Sequence, residues 1–223
     1  MAKLFPTAVL AVILPFTCTD AANAQDPKTV RYTARSVAEC FEWMAEPNVS
    51  ISDRARTALG PDGPFLKIAV PALIEALGDK EAREDRIIVI LADHGEHAVP
   101  GLLAALRRPD ALTRSRVTEA LAAIRPRSAD VNAALIRSLD DAAPEVRTAA
   151  AKGLGKIRHY SSTVVPKLLA RVGDSDPYSR AAIVTALGRL ARTPGPALTA
   201  VVDALKDQNE FVRAAAAQAL ASV

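Results

Sequence analysis

The segment Asp141–Ile157, DAAPEVRTAAAKGLGKI, returns as Asp174–Leu190, DSDPYSRAAIVTALGRL, and again as Asp207–Val223, DQNEFVRAAAAQALASV. Arg147, Arg180 and Arg213 stand 33 residues apart, and so do Leu154, Leu187 and Leu220. A fixed period of this length belongs to arrays of two-helix units. Each unit exposes too much apolar surface to fold alone, so the units must stack. The predicted fold class is all-α: a right-handed α-solenoid of about six stacked antiparallel helix pairs.

Half of the residues are hydrophobic but only 4% are aromatic, so the core is built from Ala, Leu, Val and Ile. Such side chains favour helix and allow helices to approach closely. The first helices align on Met44, Leu77, Leu106, Leu139, Val172 and Leu205, and the second on Leu59, Leu91, Leu121, Leu154, Leu187 and Leu220. Val165, Leu168, Leu169 and Val172 show the spacing of a buried helix face. Two residues after each first anchor stand Glu46, Asp79, Arg108, Asp141, Asp174 and Asp207, an acid at every turn but one. Pro71, Pro100 and Pro166 mark the starts of first helices, where a missing N–H has no cost. Ala143-Pro144 and Asp176-Pro177 mark the starts of second helices.

Residues 1–24 read as a secretory signal. Lys3 opens it, Leu4–Phe16 is its apolar run, and Ala22-Asn23-Ala24 is a small-residue cleavage site. The run is too short for a membrane span, and the mature chain is expected to have none. Its expected address is the periplasm or the medium. Residues 25–35 read as a linker and 36–223 as the repeat domain, with an irregular capping pair at 36–60 carrying Trp43 and five repeats over 64–223. Cleavage removes Cys18 and leaves Cys40 alone, so no intramolecular disulfide can form and the fold must stand on packing.

The pattern Asp-x-x-x-x-Val-Arg-x-Ala-Ala-x-x-x-Leu-Gly at Asp141–Gly155 resembles the HEAT repeat in its short, phycobilin-lyase form. Val70–Asp79 and Val165–Asp174 are similar to that family's first helix. The resemblance runs through residues 36–223, most clearly from Val70. It implies a scaffold fold and says almost nothing of activity, because such repeats serve many unrelated tasks.

Asp141, Asp174 and Asp207 are expected to accept backbone N–H groups at the start of each second helix. Arg147, Arg180 and Arg213 follow six residues later and are expected to meet the acids of neighbouring repeats as a structural ladder. The other reading of the arginines is a stripe that grips a phosphorylated or acidic ligand. Asp93-His94-Gly95-Glu96-His97 is the one cluster of metal-type ligands. His94 and His97 are weak zinc candidates, expected in a solvated turn with no further ligands at hand. His159 and Tyr160 read as loop. No nucleophile turn or phosphate loop occurs, so neither catalytic residues nor a cofactor is expected. The net charge of +3, evenly scattered, does not suggest nucleic acid.

The expected function is an exported scaffold that binds an unknown protein partner. Its expected contact surface is the concave face of the second helices, through Ser115, Glu119, Thr148, Lys152, Thr185 and Gln218. Two alternatives stand beside it. The family resemblance implies a tetrapyrrole or bilin lyase, an enzyme. The apolar residues Leu198, Val201, Val202 and Leu205 of the last repeat suggest a homo-oligomer.

Overall fold

The computed structural model describes Leu59, Pro61 and residues 66–80, 84–124, 128–157, 161–191 and 194–221. The signal, the linker, Cys40, Trp43, the capping pair other than Leu59, and His159 with Tyr160 lie outside the described residues. Among the described residues are ten α-helices, two short 3-10 turns and no strand. The helices are α1 (Leu66–Ala76), α2 (Glu84–Asp93), α3 (Val99–Ala105), α4 (Ala111–Ala123) and α5 (Ala129–Ser138). They continue as α6 (Pro144–Leu154), α7 (Ser161–Leu169), α8 (Pro177–Leu190), α9 (Pro196–Asp203) and α10 (Glu210–Leu220). The fold is an α-solenoid, and it divides into two compact units between Gly101 and Leu102.

In the first unit α1 packs on α2. Leu73, Leu77, Ile87, Ile90 and Leu91 are buried, together with Leu59. Pro71 does not start α1, as its sequence position suggested, but sits at its sixth residue, and Pro166 occupies the same place in α7. Both prolines are exposed. The carbonyl left without an N–H partner at each can therefore turn to water, which makes an interior proline tolerable.

In the second unit the second helices pack directly on one another in the order α4, α6, α8, α10, and these are its most extensive contacts. The first helices flank this layer: α5 packs against α4 and α6, α7 against α8, and α9 against both α8 and α10. Leu121, Leu154 and Leu187 are fully buried, as the repeating leucines require. Prolines 144 and 177 begin α6 and α8. Asp110, Asp176 and Asn209 cap α4, α8 and α10 with their side chains.

The layer is tight because each contact between second helices holds one glycine against one alanine. A Cβ on Gly153 would lie 2.6 Å from Ala122 Cβ, one on Gly155 2.9 Å from Ala186, and one on Gly188 2.5 Å from Ala219 Cβ. At these distances the helices would have to separate. Gly188→Ala should therefore lower the unfolding free energy by about 1–3 kcal/mol in a denaturant titration. Gly173→Ala, where a Cβ would meet nothing within 4 Å, should change it by less than about 0.5 kcal/mol. Equal effects would contradict this packing.

Candidate functional site

At the N-terminal end of the second helices runs a row of charge pairs. The Arg147 guanidinium donates from Nε and Nη2 to the two carboxylate oxygens of Asp174, both at 2.7 Å. Its Nη1 donates to the carbonyls of Asp141 and Ala142 at 3.0 and 3.1 Å. Arg180 repeats this on the Asp207 carboxylate and the Asp174 and Ser175 carbonyls. Arg114 does the same on the Asp141 carboxylate and the Arg108 and Pro109 carbonyls. Arg213 holds the carbonyls of Asp207 and Gln208. Each bidentate pair spans 27 residues, so each arginine reaches the acid of the following module.

Asp141, Asp174 and Asp207 do not cap their second helices. Each accepts the N–H two residues on, from Ala143, Asp176 and Asn209, which are themselves the cap residues. The acid closes a turn just before the helix, and its side chain is thereby aimed back at the preceding module's arginine. Arg114 belongs to the row although the sequence reading did not include it. Its signal was the period, since it lies 33 residues before Arg147.

The hydrogen bond from Arg114 holds the Asp141 carboxyl below the usual carboxylate range against the opposing effect of burial, and Arg180 does so for Asp207. At Asp174 burial is the largest single influence and pushes upward. The Arg147 bond, the Asp176 N–H and nearby arginine charge together outweigh it, and the carboxyl is again lowered. A cleft of about 330 Å³ opens beside this pair, lined by Asp141, Arg147, Arg171 and Asp174 among others. Arg171 is paired with Asp140, so both arginines of the cleft already hold a carboxylate. This arrangement does not offer an open arginine stripe to an anionic ligand.

On α4, α6 and α8 burial leaves an open stripe, and α10 carries the same register positions within a wider exposed surface. The stripe runs through Ser115 and Glu119 on α4, Thr148 and Lys152 on α6, Thr185 on α8 and Gln218 on α10. Two of these side chains reach the next module, Ser115 Oγ donating to the Glu145 carbonyl and Thr148 Oγ1 sharing a hydrogen bond with Ser179 Oγ, while Thr185 Oγ1 donates to the Ala181 carbonyl of its own helix. Lys152 and Gln218 are exposed. The same stripe carries Tyr178 at the start of α8 and Phe211 at the start of α10, which the sequence reading did not include. Their rings are 60% and 51% exposed and stack with centroids 5.5 Å apart. Their signal was again the period, 33 residues.

His94 corrects the expectation of a solvated turn. It is only 2% exposed, and its Nε2–H donates to the Leu59 carbonyl at 2.6 Å. It continues the face of Ile87 and Ile90 by one further turn, and the helix ends at Gly95, with φ of 56°. His97 is exposed, so the two imidazoles do not converge. Among the described residues no group of three His, Cys, Asp or Glu side chains is placed to hold a metal ion. Of the last repeat's apolar residues, Val201 is fully buried, while Val202 and Leu205 are exposed.

Modules of this length, stacked in sequence order and tied by an arginine and an acid, define a helical-repeat protein. Residues 99–176 and 165–223, more than half of the chain, match the family of HEAT repeats, and the chain belongs to that family. A chain in the complex of CpcE and CpcF of phycocyanin lyase from Nostoc sp. PCC7120 is 28% identical to it. That match has a TM-score of 0.59 and covers 68% of this chain and 98% of that one. A designed armadillo repeat protein in complex with the peptide (KR)4 is 16% identical, with a TM-score of 0.50 over 83% of this chain and 98% of that one. At that identity it shows the fold alone. No curated protein sequence matches.

Arg147→Gln should cost about 3 kcal/mol at pH 7, because it leaves the buried Asp174 carboxylate without its partner. The parent's lowered carboxyl contributes stability that is present above the ordinary carboxylate pKa and lost as pH falls through the folded value. Urea titrations should therefore show the gap between parent and variant closing below about pH 4. A gap that stays constant from pH 7 to pH 3 would contradict the ladder's role.

Proposed function

We propose that the chain is an exported scaffold that binds another protein across the open stripe of its second helices, the concave side of the array. The observation that carries this reading is the division of labour along those helices. Apolar residues and the arginine row are occupied in holding modules together. One stripe on each of α4, α6, α8 and α10 stays at least partly open to solvent even where Ser115 and Thr148 also bond the next module, and four such stripes lie side by side. A surface repeated at helix spacing suits an extended segment or a helix of another protein. Short residues such as Ala181 and Ala214 on that stripe leave room for a partner's backbone. The signal-like start at residues 1–24 supports export.

The test is capture from an envelope fraction, using the chain expressed from Met1. The captured bait should have a mass that begins at Gln25, and Glu119→Lys with Lys152→Glu should remove at least one partner that the parent retains. Retention of Met1 would contradict export, and an unchanged partner set would contradict the stripe.

A second reading, bilin chemistry, is favoured by the similarity to the phycocyanin lyase complex. It requires a pigment site, so an absorption band unchanged on incubation with a bilin would remove it.

A further inference from the structure

Tyr178 and Phe211 are the two most exposed large apolar side chains among the described residues, and their rings stack on each other. Two rings stacked in the open on consecutive second helices form a shelf. Its electrostatic setting is one-sided. Arg114, Arg147 and Arg180 are each neutralised by Asp141, Asp174 and Asp207. Glu145, Asp176 and Glu210 share the rings' end of the second helices by register; no ion pair among the described residues holds them, and Asp176 accepts the Ser179 N–H. Glu145 is in register with Tyr178 one module earlier, Asp176 caps the helix that Tyr178 begins, and Glu210 precedes Phe211. Arg213, two residues after Phe211, is fixed on the Asp207 and Gln208 carbonyls and projects from another side of α10 than Phe211.

We propose that this shelf is the anchor point for a lysine or arginine side chain in an extended segment of the partner protein. The inference rests on the second-helix face being the binding surface. A cation over the faces of two aromatic rings gains from their quadrupoles, and the three carboxylates offer it counter-charge at the rim. Behind the rings the stripe continues through Ala181 and Ala214, whose small side chains let the segment's main chain lie close. Thr185 and Lys152 follow further along the helices. Consecutive second helices are about 8–10 Å apart, which about three residues of extended chain span. A basic residue flanked by small or apolar ones at that spacing fits the shelf. An acidic segment would meet Glu145, Asp176 and Glu210 and is disfavoured there.

The probes are two fluorescein-labelled octapeptides, one alternating Arg with Ser and the other Glu with Ser, titrated by anisotropy at fixed salt. The basic peptide should bind at least about tenfold more tightly than the acidic one. Tyr178→Ala with Phe211→Ala should abolish that preference while the helical circular dichroism of the folded chain is retained at the assay temperature, since about half or more of each residue is exposed. Tyr178→Leu with Phe211→Leu keeps apolar area without the ring faces and should lose most of the preference too. Equal affinity for the two peptides, or full basic binding in the double alanine variant, would overturn the proposal. If partner capture still depends on Glu119 and Lys152 but not on the rings, the shelf fails and the second-helix face stands.

Discussion

A single guanidinium per module carries two obligations at once, and the register of the array depends on it. Nη1 of Arg147 closes the loop of its own module by binding the Asp141 and Ala142 carbonyls, while Nε and Nη2 take the carboxylate of Asp174 in the next. The Asp174 carbonyl is in turn held by Arg180. Each aspartate thus gives its side chain to one arginine and its backbone to the next. A relay runs from Arg114 through Asp141, Arg147, Asp174, Arg180 and Asp207 to Arg213. Such a pair is not a cheap source of stability, because both charges lose water. Its value is geometric: a planar fork with two fixed acceptors accepts one position of the neighbouring module.

The relay fastens the starts of the second helices, and small residues fasten their ends. Where Gly153, Gly155 and Gly188 meet Ala122, Ala186 and Ala219, a single added methyl has no room. The helices are held at one end by charge and at the other by close contact. That leaves the open stripe as the part of each module whose residues can vary without loss of the fold. The stripe does vary: Glu145, Tyr178 and Phe211 occupy one register position, while Leu154 and Leu187 at the core do not change. Variation there fits a surface shaped by a guest, as proposed for Tyr178 and Phe211.

Much of this was legible from spacing. The 33-residue period located the buried leucines and placed Asp and Arg in adjacent modules before any contact was known. Arg108, at the position where other modules carry an acid, looked like a break. It does not affect Arg114, which uses only the backbone carbonyl of residue 108, a group that any side chain supplies. His94 was misread because Gly95 signals a turn, yet α2 completes another turn of its buried face before that glycine takes effect. Pro71 and Pro166 were placed at helix starts by the usual preference, which yields where the proline faces water. The aromatic shelf was missed because stacking across modules depends on side-chain placement that periodicity does not encode.

The fold therefore explains how a chain poor in aromatic residues and without an intramolecular disulfide among its described modules keeps a fixed surface. The central claim is that neighbouring second helices share their stability through the arginine relay. Hydrogen exchange followed by mass spectrometry in the parent and in Asp174→Asn tests it most directly. The account predicts that peptides from α6 and α8 lose protection together. Loss confined to the loop around residues 171–176, with both helices exchanging as in the parent, would contradict it.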